Sequence, residues 1–164
     1  MPSADLLAYC LMPNHFHFLI FSTDLSIKTK MIGKVESCEL SNSFRLLQSK
    51  YAQYVNVKYK RSGSLFRQKA KAKNIETGSD NYPQILFDYI HNNPVEANLV
   101  AKPEEWPYSS YNAYTGNTWD TLCNFELATK LLGIMRNSAN LCPKGYMVNE
   151  VQEIFMKGDF LKFL

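Results

Sequence analysis

The stretch from residue 12 to residue 20, Met-Pro-Asn-His-Phe-His-Phe-Leu-Ile, constrains the fold of this chain more than any other. It holds two of the chain's three histidines, His15 and His17, two residues apart in a run of strand-forming residues. Because side chains alternate between the faces of a β-strand, both imidazoles are predicted to project from one face. The apolar residues that alternate with them then point to the opposite face, where a hydrophobic core can take them.

Two imidazoles held on one face of a strand supply part of a divalent metal site. The alternative is a half-buried strand whose polar face carries two histidines. The strand is predicted to run from Leu6 to Phe21. Pro13 and Asn14 stand just before the histidines, so we expect a bulge or bend there that aims the pair.

Composition indicates a folded globular protein. The chain has 164 residues, of which 46% are hydrophobic and 13% aromatic, enough for one domain with a single core. It has no apolar run long enough to cross a bilayer and no signal peptide, so no membrane partner is expected. The four cysteines show no CxxC spacing, which argues against a cysteine-rich zinc module or a disulfide framework. We therefore expect a reduced, cytoplasmic protein.

The net charge of +3 conceals an uneven distribution of charge along the chain. The segment from Ser41 to Ile75 contains no acid, and the rest of the chain holds nine cations against fifteen acids. Cations interleaved with aromatic residues suit a nucleic-acid backbone whose bases stack on the rings. The alternative is a solvated surface face. The acid-free segment contains nine cations: Arg45, Lys50, Lys58, Lys60, Arg61, Arg67, Lys69, Lys71 and Lys73.

The acid-free segment overlaps a predicted helix and a predicted strand. Apolar residues recur at steps of three and four from residue 40 to residue 54, which predicts a helix over Val35–Lys58. A second strand is predicted over Ser64–Glu76. Its alternation puts four cations on one face, where they could contact successive phosphates: Arg67, Lys69, Lys71 and Lys73.

Three more helices are predicted after residue 77. A cap signal at residues 78–81 and Pro83 in the first turn start one helix, which should end near Asn92 because Pro94 disfavours helical geometry before it. The other two lie near Asn124–Leu132 and Val148–Phe155.

The helix before Pro94 carries the other half of a candidate site. Tyr89 and Asn93 are four residues apart and therefore share a helix face. When a tyrosine attacks a phosphodiester, the negative charge of the phosphate must be neutralised, usually by a metal ion held nearby. The alternative is that Tyr89 only packs, as most of the ten tyrosines must. His91 lies roughly 200° around the helix from Tyr89 and is predicted to be structural.

Four motifs together resemble one family. They are Met-Pro-Asn-His-Phe-His at 12–17, Ser-Gly-Ser-Leu-Phe-Arg at 62–67, Tyr-Ile-His-Asn-Asn-Pro-Val at 89–95 and Trp-Pro-Tyr-Ser-Ser-Tyr at 106–111. In this order and spacing the chain resembles the single-tyrosine HUH transposases, named for His-hydrophobe-His, and within them the REP-associated tyrosine transposases. The resemblance covers about residues 6 to 115.

The resemblance implies an α+β fold, with a ferredoxin-like or RRM-like antiparallel sheet and helices packed on one face. Family members carry a strand and a helix before the histidine strand, and this chain begins almost at that strand. We therefore expect the first strand and helix to be lacking. Residues 1–116 would form an N-terminally incomplete catalytic domain, and residues 117–164 a C-terminal helical extension.

The resemblance also implies a reaction. His15, His17 and Asn93 would bind Mg²⁺ or Mn²⁺, and Tyr89 would attack single-stranded DNA that carries hairpins, leaving a 5′-phosphotyrosine link and a free 3′-OH. Rejoining would make the protein a transposase. The residues expected to contact DNA are Arg45, Lys58, Lys60, Arg61, Arg67, Lys69, Lys71 and Lys73.

Two other functions remain open at this point. The chain could be a non-catalytic DNA-binding remnant or regulator of a transposase, which the lacking front elements favour. It could also be a metal hydrolase that uses water in place of tyrosine, in which case no covalent DNA adduct would form. Whether it is a monomer or a homodimer is not decided by the sequence.

Overall fold

The computed structural model describes residues 4–66, 70–72, 82–134 and 136. The mixed α+β class expected from the sequence is confirmed, with two small antiparallel sheets and five α-helices in this part of the chain. None of these helices is long and apolar enough to cross a bilayer. In chain order the elements are β1 (Ala4–Leu11), β2 (Phe16–Ser22), α1 (Asp24–Ile27), β3 (Thr29–Ile32), β4 (Val35–Cys38), α2 (Glu39–Lys58), α3 (Tyr82–Glu96), a 3₁₀ helix (Pro103–Glu105), α4 (Tyr111–Tyr114) and α5 (Phe125–Leu132).

The strand predicted over Leu6–Phe21 is an antiparallel hairpin of β1 and β2. The predicted bend is its turn, which is closed by a 2.8 Å hydrogen bond from the backbone N–H of Met12 to the carbonyl of His15. The register pairs Cys10 with His17. A hairpin satisfies the backbone groups of both strands along their shared edge, which one isolated strand cannot do.

The outer edge of β1 is covered by the segment from Tyr108 to Asn124. The backbone N–H of Leu11 donates to the carbonyl of Tyr108 at 2.8 Å, and the N–H of Asn124 donates to the carbonyl of Leu6 at 2.8 Å. A covered edge leaves fewer unpaired backbone groups on β1.

Helix α3 packs on one face of this hairpin and forms the core with it. Leu86, Phe87 and Ile90 of α3 are fully buried. They belong to one cluster with Leu7, Ala8, Cys10 and Leu19 of the hairpin and with Ala128, Leu132 and Ile134. Residues of the expected C-terminal extension therefore pack on the same core as the hairpin.

Helix α2 contacts the opposite face of the hairpin. The rings of Phe16 and Phe18 stack at 4.8 Å, and the Phe18 ring lies 6.1 Å from that of Phe44 in α2. Since the core residue Leu19 and its neighbour His17 point the other way, the two long helices lie against different faces. These contacts do not meet the expectation that the helices pack on one face. Phe16 and Phe18 form a second apolar face of the hairpin, and Phe44 of α2 packs against it.

Helix α2 is shorter than predicted. It begins at Glu39, whereas Val35–Cys38 pairs with Thr29–Ile32 as a second hairpin. Gly33 permits this turn, because its φ of 65° is a left-handed conformation that costs glycine little. The periodic pattern could not separate these four residues from the helix that follows them.

Helix α3 is longer than predicted and continues through Pro94 to Glu96. Pro94 removes one backbone donor, but it lies in the last turn, so only the end of the helix is affected. The chain then leaves the helix through hydrogen bonds such as that from the N–H of Leu99 to the carbonyl of Pro94, 2.9 Å long.

The strand predicted over Ser64–Glu76 is not formed by its described residues, 64–66 and 70–72. Of the four cations that this strand would carry on one face, only Lys71 lies among the described residues, so the predicted row stays a prediction. The cap signal at residues 78–81 and the helix predicted over Val148–Phe155 lie outside the described residues. The helix predicted near Asn124–Leu132 is confirmed as α5, capped by the Asn124 side chain, which accepts from the N–H of Leu127 at 3.0 Å.

Ser110 joins α3 to the hairpin. Its hydroxyl oxygen accepts the backbone N–H of Tyr9 at 3.0 Å and lies 2.8 Å from Nε2 of His91, with which it shares a hydrogen bond. His91 is completely buried, and burial lowers its pKa to about 3, so the ring is neutral. These contacts agree with the structural role predicted for His91.

We predict that Ser110→Ala lowers the free energy of unfolding by about 1–3 kcal/mol, because two buried groups lose a hydrogen-bond partner. Urea denaturation would measure the loss. Ser109→Ala is the matched control, since the Ser109 hydroxyl is also buried but makes only long contacts of 3.4 Å. Equal losses in the two variants would contradict the role given to Ser110.

Candidate metal and nucleophile site

His15 and His17 lie side by side, as the alternation of the strand predicts. Their ring centroids are 4.7 Å apart, and the ring planes are nearly perpendicular at 87°. His15 ends the hairpin turn and His17 lies in β2 opposite Cys10. The end of the turn and the start of β2 together therefore set the position of one imidazole relative to the other.

Asn14 orients the His15 ring. The Nδ1 atom of His15 lies 2.6 Å from Oδ1 of Asn14. An amide oxygen only accepts, so Nδ1 carries the proton and the acceptor lone pair of the ring is on Nε2. Metal-binding histidines are usually oriented in this way by a partner on the other ring nitrogen.

Helix α3 places Tyr89 next to His17. The two rings meet edge to face with centroids 5.9 Å apart. His17 is only 3% exposed and contacts His15 as well, so the three rings form one continuous row. Sequence spacing alone does not predict that residue 89 lies beside residue 17. The packing of α3 on the hairpin brings the two residues together.

Asn93 lies one helical turn beyond Tyr89 and is buried. Its Nδ2 donates to the backbone carbonyl of Tyr89 at 2.9 Å, which fixes the amide group on the tyrosine side of α3. Burial raises the pKa of the Tyr89 phenol, the Glu96 carboxylate raises this pKa further, and a side-chain hydrogen bond with Asn93 opposes the rise. The phenol is therefore protonated at neutral pH.

The residues present can supply the donors of a divalent ion. Among the described residues no group of three or more His, Cys, Asp or Glu side chains could hold a metal. The resemblance to HUH transposases implies Asn93 as the third ligand, and its side-chain amide carries an oxygen of the hard type that Mg²⁺ and Mn²⁺ prefer. Imidazoles on adjacent corners of an octahedral ion have centroids about 4–5 Å apart for metal–nitrogen bonds of about 2.1 Å. The observed 4.7 Å fits this arrangement.

Asp88 is a buried acid that sequence reasoning missed. It is 8% exposed, and neither carboxylate oxygen has a hydrogen-bond partner among the described residues. Burial raises its pKa to about 7. It precedes Tyr89 directly and so lies about 100° around α3 from it, away from the tyrosine side. A charged residue inside a helix with several apolar neighbours is the signal that could have pointed to it.

The cations expected to contact DNA lie apart from this site where the structure describes them. Arg45, Lys58, Lys60 and Lys71 are exposed, and Arg61 is half-buried. The ammonium of Lys58 lies 5.6 Å from the ring of Tyr54 and 5.5 Å from that of Tyr59. Arg45 and Lys58 lie in α2, which contacts the face of the hairpin opposite His17, and Lys60, Arg61 and Lys71 come after this helix in the chain. The remaining three, Arg67, Lys69 and Lys73, lie outside the described residues.

Comparisons of the chain with models of protein families, with curated proteins and with solved structures found no match.

We predict that Asp88→Asn changes the pH dependence of stability. The folded chain holds a proton on Asp88 up to a pH of about 7, whereas the unfolded chain releases it near its ordinary pKa of about 3.9. The free energy of unfolding of the native form therefore falls as the pH rises between these two pKa values, by at most about 1.4 kcal/mol per pH unit. Asp88→Asn should remove this loss and be more stable than the native chain at pH 8.

Urea denaturation of the native chain and of Asp88→Asn, from pH 4 to pH 8, would test the Asp88 prediction. Asp24→Asn serves as the control, because Asp24 is an exposed carboxyl on α1. A stability difference between Asp88→Asn and the native chain that stays constant across this pH range would contradict the prediction.

Proposed function

We propose that this protein is a metal-dependent transposase of the single-tyrosine HUH type, in the REP-associated branch. It would cleave and rejoin single-stranded, hairpin-bearing DNA in the cytoplasm through a 5′-phosphotyrosine intermediate. The observation that supports the proposal is the continuous row of His15, His17 and Tyr89, with Asn93 one turn further along α3. A nucleophile beside two potential metal ligands is the minimum that this chemistry requires.

His15, His17 and Asn93 would hold Mg²⁺ or Mn²⁺. When bound, the ion would draw negative charge from the scissile phosphate and so favour attack on phosphorus. The hydrogen bond to Asn14 keeps the His15 ring in one orientation, and the His17 ring is packed against the rings of His15 and Tyr89. The protein's part is to hold the donors in place before DNA arrives.

Tyr89 would supply the nucleophile. Its phenolic oxygen forms a bond to phosphorus while the bond from phosphorus to the 3′-oxygen breaks. The phenol loses its proton, and the 3′-oxygen gains one and leaves as a hydroxyl. The reverse attack by a 3′-OH rejoins a strand. No ATP is needed, because the phosphotyrosine bond conserves the energy of the phosphodiester.

The environment of Tyr89 favours tyrosine over water as the nucleophile. The ring is half-buried between His17 and the core, and the Asn93 side-chain amide donates to the backbone carbonyl of Tyr89. Burial of the ring limits the room for a water molecule at the same position. This arrangement argues against a hydrolase that would use the same two histidines.

We predict that Tyr89→Phe abolishes the covalent protein–DNA adduct and leaves hairpin affinity within about twofold. The assay uses labelled single-stranded hairpin DNA with Mn²⁺ and a denaturing gel. Tyr54→Phe is the control, because Tyr54 is an exposed tyrosine on α2 and should still form the adduct.

Each outcome of the Tyr89 gel assay has a distinct meaning. An adduct that persists in Tyr89→Phe would show that another residue is the nucleophile. Cleavage without an adduct would identify a hydrolase, and a native-gel shift without cleavage would identify a DNA-binding remnant or regulator.

We further predict that DNA affinity falls steeply with salt, because phosphate contacts release counterions. The double substitution of Lys58 and Lys60 by Ala should reduce the slope of log affinity against log salt by about 1–2. Substituting Lys102 and Lys130 by Ala is the matched control, since both lie outside the acid-free segment and are exposed. Fluorescence anisotropy at several salt concentrations measures the slopes, and equal slopes in both variants would contradict the prediction.

A further inference from the structure

An aromatic groove lies on the face of the hairpin opposite Tyr89. It has a volume of about 880 Å³ and opens between α2, the hairpin and the segment around Trp106. Phe16, Phe18 and Phe44 line its floor. We call it the aromatic groove, and the residues that line its walls are Tyr51, Tyr59, Phe66, Trp106, Tyr108 and Arg61.

The three tyrosine rings on the walls of the aromatic groove are open to solvent, and Phe66 and Trp106 are half-buried. Tyr51 is 48% exposed, Tyr59 63% and Tyr108 59%. The ring of Tyr51 lies 6.4 Å from that of Phe66 at a tilt of 45°, and the ring of Trp106 lies 5.5 Å from that of Tyr108. Large rings gathered at a concave surface and left exposed mark a binding site more often than a core.

The charge around the aromatic groove favours an anionic ligand. From Ser41 onward, α2 and the residues that follow it to Ile75 belong to the acid-free segment, and no acidic side chain among the described residues lines the groove. Arg61 lines the groove, and the Lys58 ammonium lies 5.5 Å from the ring of Tyr59 at its wall. An apolar peptide would leave these cations without counter-charges. A polyanion that also carries flat aromatic groups matches both features.

We propose that the aromatic groove binds the unpaired bases of a single nucleic-acid strand, which stack on its rings while Arg61 contacts the phosphates. The inference rests on the proposed function and adds a base-binding surface to it. The groove faces away from Tyr89, because Phe16 and Phe18 alternate with His17 along β2. Strand binding and strand cleavage would therefore use opposite faces of one hairpin. Stacking accepts any base, so the groove would show little sequence preference.

The test uses the full-length chain and Trp106 as a reporter. The chain has two tryptophans, and Trp119 is 80% exposed and lies outside the groove, so Trp119→Phe leaves Trp106 as the only one. The probes are a twelve-nucleotide thymidine strand and an abasic strand of the same length. We expect the thymidine strand to quench Trp106 fluorescence. The abasic strand should bind at least about tenfold more weakly and should not quench it.

Substitutions on α2 assign the effect to the aromatic groove. Tyr51→Ala should weaken binding of the thymidine strand by about 5- to 100-fold, the cost of losing one stacked base. Tyr51→Phe keeps the ring and should bind within about twofold of the native chain. Tyr54→Ala is the matched control, because Tyr54 is on the same helix, is 59% exposed and does not line the groove.

The outcomes separate this inference from the proposed function. Equal affinity for the thymidine and abasic strands, with hairpin DNA still forming the Tyr89 adduct, would overturn the groove proposal alone. A dimer that dissociates on Tyr51→Ala, with no change in DNA affinity, would also overturn it and would make the groove an interface between copies. Failure to bind any DNA would overturn both proposals.

Discussion

The packing of helix α3 against one face of the β1–β2 hairpin positions the groups of the candidate site. Leu86, Phe87 and Ile90 are buried in this contact, and each stabilises the fold by about 1.5–3 kcal/mol. Their sum is comparable with the whole net stability of a small domain, so α3 cannot shift without loss of the core. The same contact brings Tyr89 to the ring of His17.

The hairpin also separates two surfaces of different chemistry. Alternation along β2 directs His17 to the face that α3 covers and directs Phe16 and Phe18 to the face that α2 partly covers. The first face carries a row of polar rings beside an amide, which suits a metal ion and a phosphate. The second carries exposed aromatic rings in a segment without acids, which suits bases and their backbone. The β1–β2 hairpin therefore positions both the candidate metal and nucleophile site and the aromatic groove.

Local rules predicted the parts of the site that lie close together in sequence. The shared face of His15 and His17 follows from a period of two, and the shared side of Tyr89 and Asn93 follows from a period of 3.6. The meeting of the two pairs was expected only from the resemblance to HUH transposases, because no local period relates residue 17 to residue 89. In the structure the ring contact of His17 with Tyr89 brings these two pairs together.

Element boundaries failed where two local preferences compete. Val35–Cys38 continues the apolar pattern of the helix after it, but Gly33 allows a turn that pairs these residues with Thr29–Ile32. Pro94 predicts the end of a helix, yet its position in the last turn costs α3 little. Asp88 was missed because burial of a single carboxyl depends on tertiary packing, which no short sequence window contains.

The most direct test of the central claim is to locate the nucleotide on the protein after reaction with hairpin DNA and Mn²⁺. Nuclease digestion followed by proteolysis and mass spectrometry would identify which of the ten tyrosines carries the remaining phosphate. We expect a single modified residue, Tyr89, joined to a 5′-phosphate, and no modification without metal. A modified tyrosine elsewhere, or a link to a 3′-phosphate, would contradict the central claim.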